Sequence, residues 1–266
     1  MTEPAVPFDF ARFHAALDTR LVGRSLVYRL SLGSTMDLAR REAEEGAVHG
    51  TAVLAEEQTA GRGRRGRSFF SPSGANIYVT FVLRPSLELH RTLPLRIPVA
   101  VCRAIRTVAP AAMIKWPNDV WVNERKVCGM LIDAELDPDG PIAFPGIGIN
   151  VNADPSVLPE LAGIATALAT VAGRPIDREE LLAGLCNHLE RAFEEPIERV
   201  VAEYRQLSLV LGRRVIIDTP GGQRYEATAA RIDSTGALVV RLDDGTEETV
   251  TAADVTLRPA PVPPTA

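Results

Sequence analysis

Residues 51–85 read TAVLAEEQTAGRGRRGRSFFSPSGANIYVTFVLRP. The two ends are strands by composition: TAVLAEEQ (51–58) and NIYVTFVLRP (76–85), the second rich in β-branched and aromatic residues. Between them, positions 61–67 hold four arginines and three glycines. Glycine lets a backbone approach a ligand closely. Successive loop N–H groups form an anion nest, and arginine adds charge-assisted, bidentate contacts to phosphate or carboxylate. A cationic loop clamped between two strands therefore reads as a cover for a small anionic ligand. The competing reading is an Arg–Gly segment that touches RNA, but such segments repeat and this one occurs once. The P-loop pattern G-x-x-x-x-G-K-[ST] is absent.

On the N-terminal side, the spacing predicts a helix over 8–22, a strand over 25–30 and a helix over 34–46, with Ser34 and Asp37 as a capping box. On the C-terminal side, a helix is predicted over 93–109, with Pro98 near its first turn. AMIKWPND (112–119), VWVNERKVCGMLIDAEL (120–136) and IAFPGIGINVN (142–152) read as successive strands, turning around Asn123 and Glu124 and again over 137–140. Helices are predicted at about 161–172, at 178–193 with Asp177 as N-cap and Glu180 closing a capping box, and at about 197–211. Strands and helices mix without strict βαβ alternation, which favours an α+β fold. From Gly212 the composition shifts to short strands parted by PGG, STG and DDG turns, the pattern of a small β-barrel. The expected division is a catalytic domain over 1–211, a β domain over 212–258 and a disordered Pro-rich tail over 259–266.

The formal charge of −5 argues against general nucleic-acid coating. Three scattered cysteines without Cys-x-x-Cys spacing fit a reduced, cytoplasmic protein, and four dispersed histidines show no zinc cluster. The N-terminus does not read as a signal peptide, and no apolar run is long enough to span a membrane.

Of 29 basic residues only two are lysine, Lys115 and Lys126. So strong an arginine bias suggests that these two sites require a compact ammonium, which differs from a guanidinium in size and donor geometry. The other reading is chance survival of two surface lysines. KWPND (115–119) places Lys115, Asn118 and Asp119 at a strand end, where Lys115 can meet phosphate and Asp119 can hold Mg²⁺; ordinary turn chemistry also accounts for it. Gly146, Gly148 and Asn150 end another strand, marking either a close approach to a ligand or a bulge.

Taken together, Ser34-Thr35, Gln58 with GRGRRGR (61–67), FSPSGANIY (70–78), KWPND (115–119), RKVCGML (125–131) and GIGIN (146–150) resemble the biotin protein ligases, in the family's order and spacing over about 25–152. The resemblance implies a fold like that of class II aminoacyl-tRNA synthetases, a mixed sheet with flanking helices, plus an SH3-like C-terminal β domain. It implies that biotin and ATP form biotinyl-5'-adenylate with Mg²⁺, and that a lysine of a biotin carboxyl carrier domain then takes the biotinyl group. It places Ser34, Thr35, Gln58, Gly61, Arg62, Arg64, Lys126 and Gly129 on the biotin side. Arg64, Arg65, Arg67, Phe69, Lys115, Asn118, Asp119 and Asn150 fall on the ATP side, with Arg64, Lys115 and Lys126 catalytic and Asp119 on the metal. Met36 stands where the family usually has asparagine, so it is given no polar role. The residues before the match hold one helix and not a DNA-binding domain, so no repressor activity is expected of a monomer or weak homodimer. The rival readings are a lipoate or octanoate ligase, an RNA-binding module and a non-catalytic carrier-binding protein.

Overall fold

The computed structural model describes residues 8–137, 140–251 and 254–257, without the side chains of Arg65, Asp254 and Leu257. The Pro-rich tail expected over 259–266 lies outside these residues. Two sheets organise the chain. The first has seven strands in the order β1-β2-β3-β7-β6-β5-β4. These are β1 Leu26–Leu32, β2 Thr51–Gln58, β3 Ile77–Val82, β4 Met113–Lys115, β5 Asp119–Val122, β6 Arg125–Asp137 and β7 Gly140–Ile149. β1 and β2 run parallel and the other pairs antiparallel, so the sheet is mixed.

The helices are α1 Phe10–Ala16, α2 Thr35–Glu44, α3 Leu87–Arg106, α4 Leu168–Ala172, α5 Arg178–Glu194 and α6 Ile197–Leu207. β3 is buried along its whole length because both sheet faces are covered. Ile77, Val79 and Phe81 join the large core that includes α3, while Val82 packs with Val53, Phe144 and the α2 residues Leu38, Ala39 and Ala43. The site described below lies on the α2 side. The second sheet is antiparallel, in the order β11-β10-β9-β8-β12. Its strands are β8 Arg214–Asp218, β9 Arg224–Ile232, β10 Leu238–Arg241, β11 Glu247–Val250 and β12 Asp254–Leu257.

Several local expectations change. α1 is shorter than 8–22, closing where the Leu17 N–H meets the His14 carbonyl. α3 starts at Leu87 behind an Ser86 cap, with Pro94 and Pro98 both inside it. Leu93, Leu95, Ile97 and Val99 are buried around those prolines, and their packing offsets the lost backbone bonds. α4 is far shorter than 161–172, because the Lys126 N–H donates to the Ile164 carbonyl at 2.9 Å and the Thr166 N–H to the Lys126 carbonyl at 2.9 Å. These bonds draw 164–166 alongside β6 instead of into a helix. α6 ends at Leu207, before the expected 211, and the Leu209 N–H then donates to the Ile114 carbonyl at 2.8 Å.

Of the expected capping boxes, the one at Ser34 does not form and the one at Asp177 is half formed. Ser34 accepts from the Met36 N–H at 3.3 Å rather than pairing with Asp37, whose carboxylate faces Arg62 and Arg40. Asp177 accepts from the Glu180 N–H at 2.8 Å, but the Glu180 carboxylate is bonded to Arg12 at 3.2 Å.

Candidate active site

The arginine segment folds as a narrow hairpin between β2 and β3. Arg62 and Ser68 form a bridge, the Gly63 N–H donates to the Arg67 carbonyl at 2.7 Å, and the Phe69 N–H to the Gly61 carbonyl at 3.0 Å. A 3₁₀ turn over Arg64–Gly66 makes its tip, where Gly66 at φ 71° takes the left-handed region that favours glycine. The hairpin overhangs a cavity of about 290 Å³.

Ser34, Thr35, Gln58, Arg62, Arg64, Arg67, Phe69, Lys115, Asn118, Asp119, Lys126, Gly129 and Asn150 all line that cavity, so the sequence-predicted set converges on one place. Gly61 does not line it. A Cβ at Gly61 would stand 2.8 Å from Ser71 Oγ and 3.1 Å from Gln58 Nε2, so this glycine lets the hairpin cross Gln58. The side chain of Arg65 lies outside the described residues.

At one end of the cavity, polar groups form a connected set. Gln58 Oε1 accepts from the Thr35 N–H at 2.9 Å and from Thr35 Oγ1 at 3.0 Å, while Thr80 Oγ1 donates to Thr35 Oγ1 at 2.8 Å. Gln58 Nε2 donates to Ser71 Oγ at 3.3 Å. These bonds fix the start of α2 against β2 and β3. Met36 fills the space beside them: a Cβ on Gly146 would meet its Cγ and Sδ at 3.1 Å.

The floor is glycine. Gly129 of β6 and Gly148 of β7 are register partners, and the Phe69 ring lies across them. A Cβ at Gly148 would come within 2.5 Å of Phe69 Cε1, and one at Gly129 within 3.2 Å of Cε2. Tyr78 meets the ring edge-on at a centroid distance of 6.4 Å.

The charged end holds both lysines. Lys126 Nζ is 2.8 Å from Asp119 Oδ1. Lys115 Nζ sits 4.1 Å from the centroid of the Trp121 ring, a cation–π contact. Asn118 joins this end to the hairpin: Oδ1 accepts from Arg64 Nη1 at 3.4 Å, and Nδ2 donates to the Met130 carbonyl. Asn150 Nδ2 donates to the Thr166 carbonyl at 3.2 Å, while among the described residues its buried Oδ1 has no partner. Cys128, next to Gly129, is buried, and that burial raises its thiol above the ordinary range. No group of three or more His, Cys, Asp and Glu side chains able to hold a metal occurs among the described residues. Asp119 is the acid in the lining, which suits an Mg²⁺ held mainly by substrate phosphates.

Trp121, Leu131, Leu161 and Ile164 also line the cavity and were not singled out from sequence; Met36, given no polar role there, lines it as well. Trp121 follows Asp119 by two positions on β5, a period-2 signal that points to a shared face.

Residues 29–151 match the Biotin/lipoate A/B protein ligase family and residues 210–258 the Biotin protein ligase C terminal domain. The bifunctional ligase/repressor BirA of Bacillus subtilis is 35% identical over 257 residues, an alignment that covers 91% of this chain and 76% of that protein. The chain belongs to the biotin protein ligase family. The biotin–[acetyl-CoA-carboxylase] ligase of Mycobacterium tuberculosis is 32% identical, with 84% of this chain and 85% of that protein aligned. Among solved biotin protein ligases, the Aquifex aeolicus enzyme in complex with biotin and ATP superposes with a TM-score of 0.73 at 28% identity, covering 88% of this chain and 99% of that one. The Leishmania major ligase in complex with biotinyl-5-AMP gives 0.62 at 32% identity, covering 86% and 99%. The mixed sheet with its second, antiparallel sheet is thus the biotin protein ligase fold. No helix among the described residues is long and apolar enough to cross a membrane.

Proposed function

We infer that this chain activates biotin with ATP and transfers it to a lysine of a biotin carboxyl carrier domain. In the first step a carboxylate oxygen of biotin attacks the α-phosphorus of ATP. The bond to the β-phosphate oxygen breaks, and pyrophosphate leaves with its electron pair. In the second, a neutral lysine amine attacks the acyl carbon, the carbon–oxygen bond to phosphate breaks and AMP departs. The amide nitrogen releases its proton to solvent.

One observation carries this reading: the two lysines of an arginine-rich chain meet the arginine hairpin in one cavity. An acyl adenylate needs positive charge at two oxyanions, the carboxylate and the α-phosphate. In this reading Lys126, aimed by Asp119, serves the carboxylate and the α-phosphate as negative charge redistributes. Lys115, Asn118 and Asp119 serve the triphosphate, and Arg64, Arg65 and Arg67 close from the hairpin side. Ser34, Thr35, Gln58, Arg62 and Gly129 receive the biotin end. Asn150 Oδ1, already oriented by Thr166, is an acceptor for a donor on the adenylate, and Phe69 moves from the glycine floor to pack near the adenine. Mg²⁺, when bound on Asp119 and phosphate, supplies charge neutralisation. Closure of the hairpin excludes water from a hydrolysable anhydride. The carrier belongs to a biotin-dependent carboxylase, the chain acts in the cytoplasm as a monomer or weak homodimer, and it does not bind DNA.

The test is to incubate the chain with ATP, Mg²⁺ and a biotin carboxyl carrier domain, supplying biotin, lipoate or octanoate in separate reactions. The reading predicts the mass of one biotinyl group on one carrier lysine. Modification by lipoate or octanoate alone would move the substrate to the rival class, and salt-dependent RNA binding without ATP turnover would favour the RNA module.

A further inference from the structure

The second sheet meets the 115–119 segment at Trp116. Trp116 sits between Lys115 and the turn that leads to Asp119, and it is only 2% exposed. Its Nε1 donates to the Gly236 carbonyl at 2.9 Å, in the turn between β9 and β10. A phenylalanine would keep an aromatic ring there but carry no N–H donor. The indole instead commits its donor to a carbonyl 120 positions away.

That carbonyl is held by a tied turn. Asp233 Oδ1 accepts from the Thr235 N–H at 2.8 Å, Thr235 Oγ1 at 2.7 Å and the Ala237 N–H at 3.0 Å. The Asp233 N–H donates to the Ala237 carbonyl at 3.0 Å. Gly236 has φ of 89°, and a Cβ there would stand 3.3 Å from Pro94 Cβ, so the turn seats closely on α3. Arg205 of α6 fastens the preceding strand, donating Nε and Nη2 to the Ile232 carbonyl at 3.0 and 2.7 Å.

On the other side of Trp116 the path continues into the site. The Asn118 carbonyl accepts from the Met130 N–H at 2.8 Å, and Asn118 Oδ1 accepts from Arg64 at 3.4 Å. The route therefore runs from Asp233, through the Gly236 carbonyl and Trp116, to Asn118 and the arginine hairpin.

We propose that the β9–β10 turn positions the nucleotide half of the active site, acting through the Trp116–Gly236 hydrogen bond. Trp116 and Asp233 are positioning residues; neither needs to touch substrate. The inference rests on the reading that residues 115–119 serve ATP.

The experiment compares the wild type with Trp116→Phe, Asp233→Ala and the double variant. ATP–pyrophosphate exchange gives the KM for ATP, calorimetry without ATP gives biotin affinity, and thermal melting reports folding. Each single change should raise the KM for ATP about tenfold while biotin affinity holds within about twofold. The double variant should be no worse than the worse single one, because both remove one connection. Unchanged KM for ATP in either folded single variant, additive losses, or biotin affinity falling in step would overturn the proposal. Should Trp116→Phe fail to fold, Asp233→Ala decides by the same criterion. Absence of exchange in the folded wild type would overturn the functional reading and this inference with it, whereas exchange with an unaffected variant would overturn the inference alone.

Discussion

Lys126 Nζ lies 2.8 Å from Asp119 Oδ1, and the same ammonium passes 2.9 Å from the place a Cβ would occupy on Gly129. The side chain arches across a glycine to reach its carboxylate. Both side chains are largely buried, with 28% and 20% exposure. The position therefore selects a narrow cation, and the glycine is part of the selection.

Lys126→Arg keeps the charge and loses the fit. The guanidinium is broader than the ammonium, and Gly129 and the Phe69 ring bound the space it must enter. Exchange activity should fall by about 10²-fold, the scale of losing one preorganised electrostatic group. Melting within roughly 4 °C of wild type would assign the loss to chemistry. Near-normal turnover would remove the argument from lysine scarcity.

Gly148→Ala places a methyl 2.5–2.6 Å from Phe69 ring atoms. Phe69 belongs to the hairpin and can yield, so the fold should survive. The floor would no longer be flat, and biotin affinity by calorimetry should drop at least about tenfold, roughly 1.4 kcal/mol. Unchanged affinity would show that the ligand does not lie on the glycines.

Beneath the site, Arg178 Nη1 is 2.6 Å from Glu56 Oε2, with both side chains nearly inaccessible, and Tyr28 donates its hydroxyl to Glu56 at 2.9 Å. Arg178→Met leaves a buried carboxylate without this cation and should cost about 3–5 kcal/mol in urea unfolding. Adding Glu56→Gln removes the charge while keeping an acceptor for Tyr28, and should recover most of the loss. Failure of the second change to rescue would show that the pair acts by packing rather than charge.

Acid should destabilise the chain in two stages. Burial depresses His49 and His188 below the ordinary 6.5, and Nδ1 of His49 accepts from the Arg84 N–H at 2.9 Å, which opposes a proton there. The unfolded chain therefore binds more protons below about 6.5, and stability falls as pH drops through that value. Glu195 is held below the ordinary 4.5 by its hydrogen bonds to Arg103, so its contribution is present above 4.5 and lost as pH falls further. Melting temperature against pH should show both declines, and His49→Gln should flatten the first. A curve rising between pH 7 and 5 would contradict the assignment.

Much of this was legible in the sequence, for physical reasons that also explain the misses. Strands such as β3 and the turn at Asn123 and Glu124 follow from local composition, and those two residues take φ of 48° and 61°. The lysines, the arginine cluster and the strand glycines that line the cavity stood out because their chemistry is scarce, whereas Ser34, Thr35 and Gln58 were reached only through the family resemblance. The alternation along β5 would have placed Trp121 beside Asp119, but the place of Met36 depends on α2 packing over Gly146 and has no local signal. The start of α3 was obscured by Pro94 and Pro98, which read locally as breakers and are overruled by burial. The run over 161–172 is apolar enough for a helix throughout, and the pairing of Lys126 with Ala165 shows why only its end forms one.

The most direct test of the account is ATP–pyrophosphate exchange with Mg²⁺ and biotin, lipoate, octanoate or no acid. It needs no carrier and reads adenylate formation alone. The account predicts exchange that requires biotin and is lost in Lys126→Arg. A folded protein that exchanges with none of the acids would contradict it.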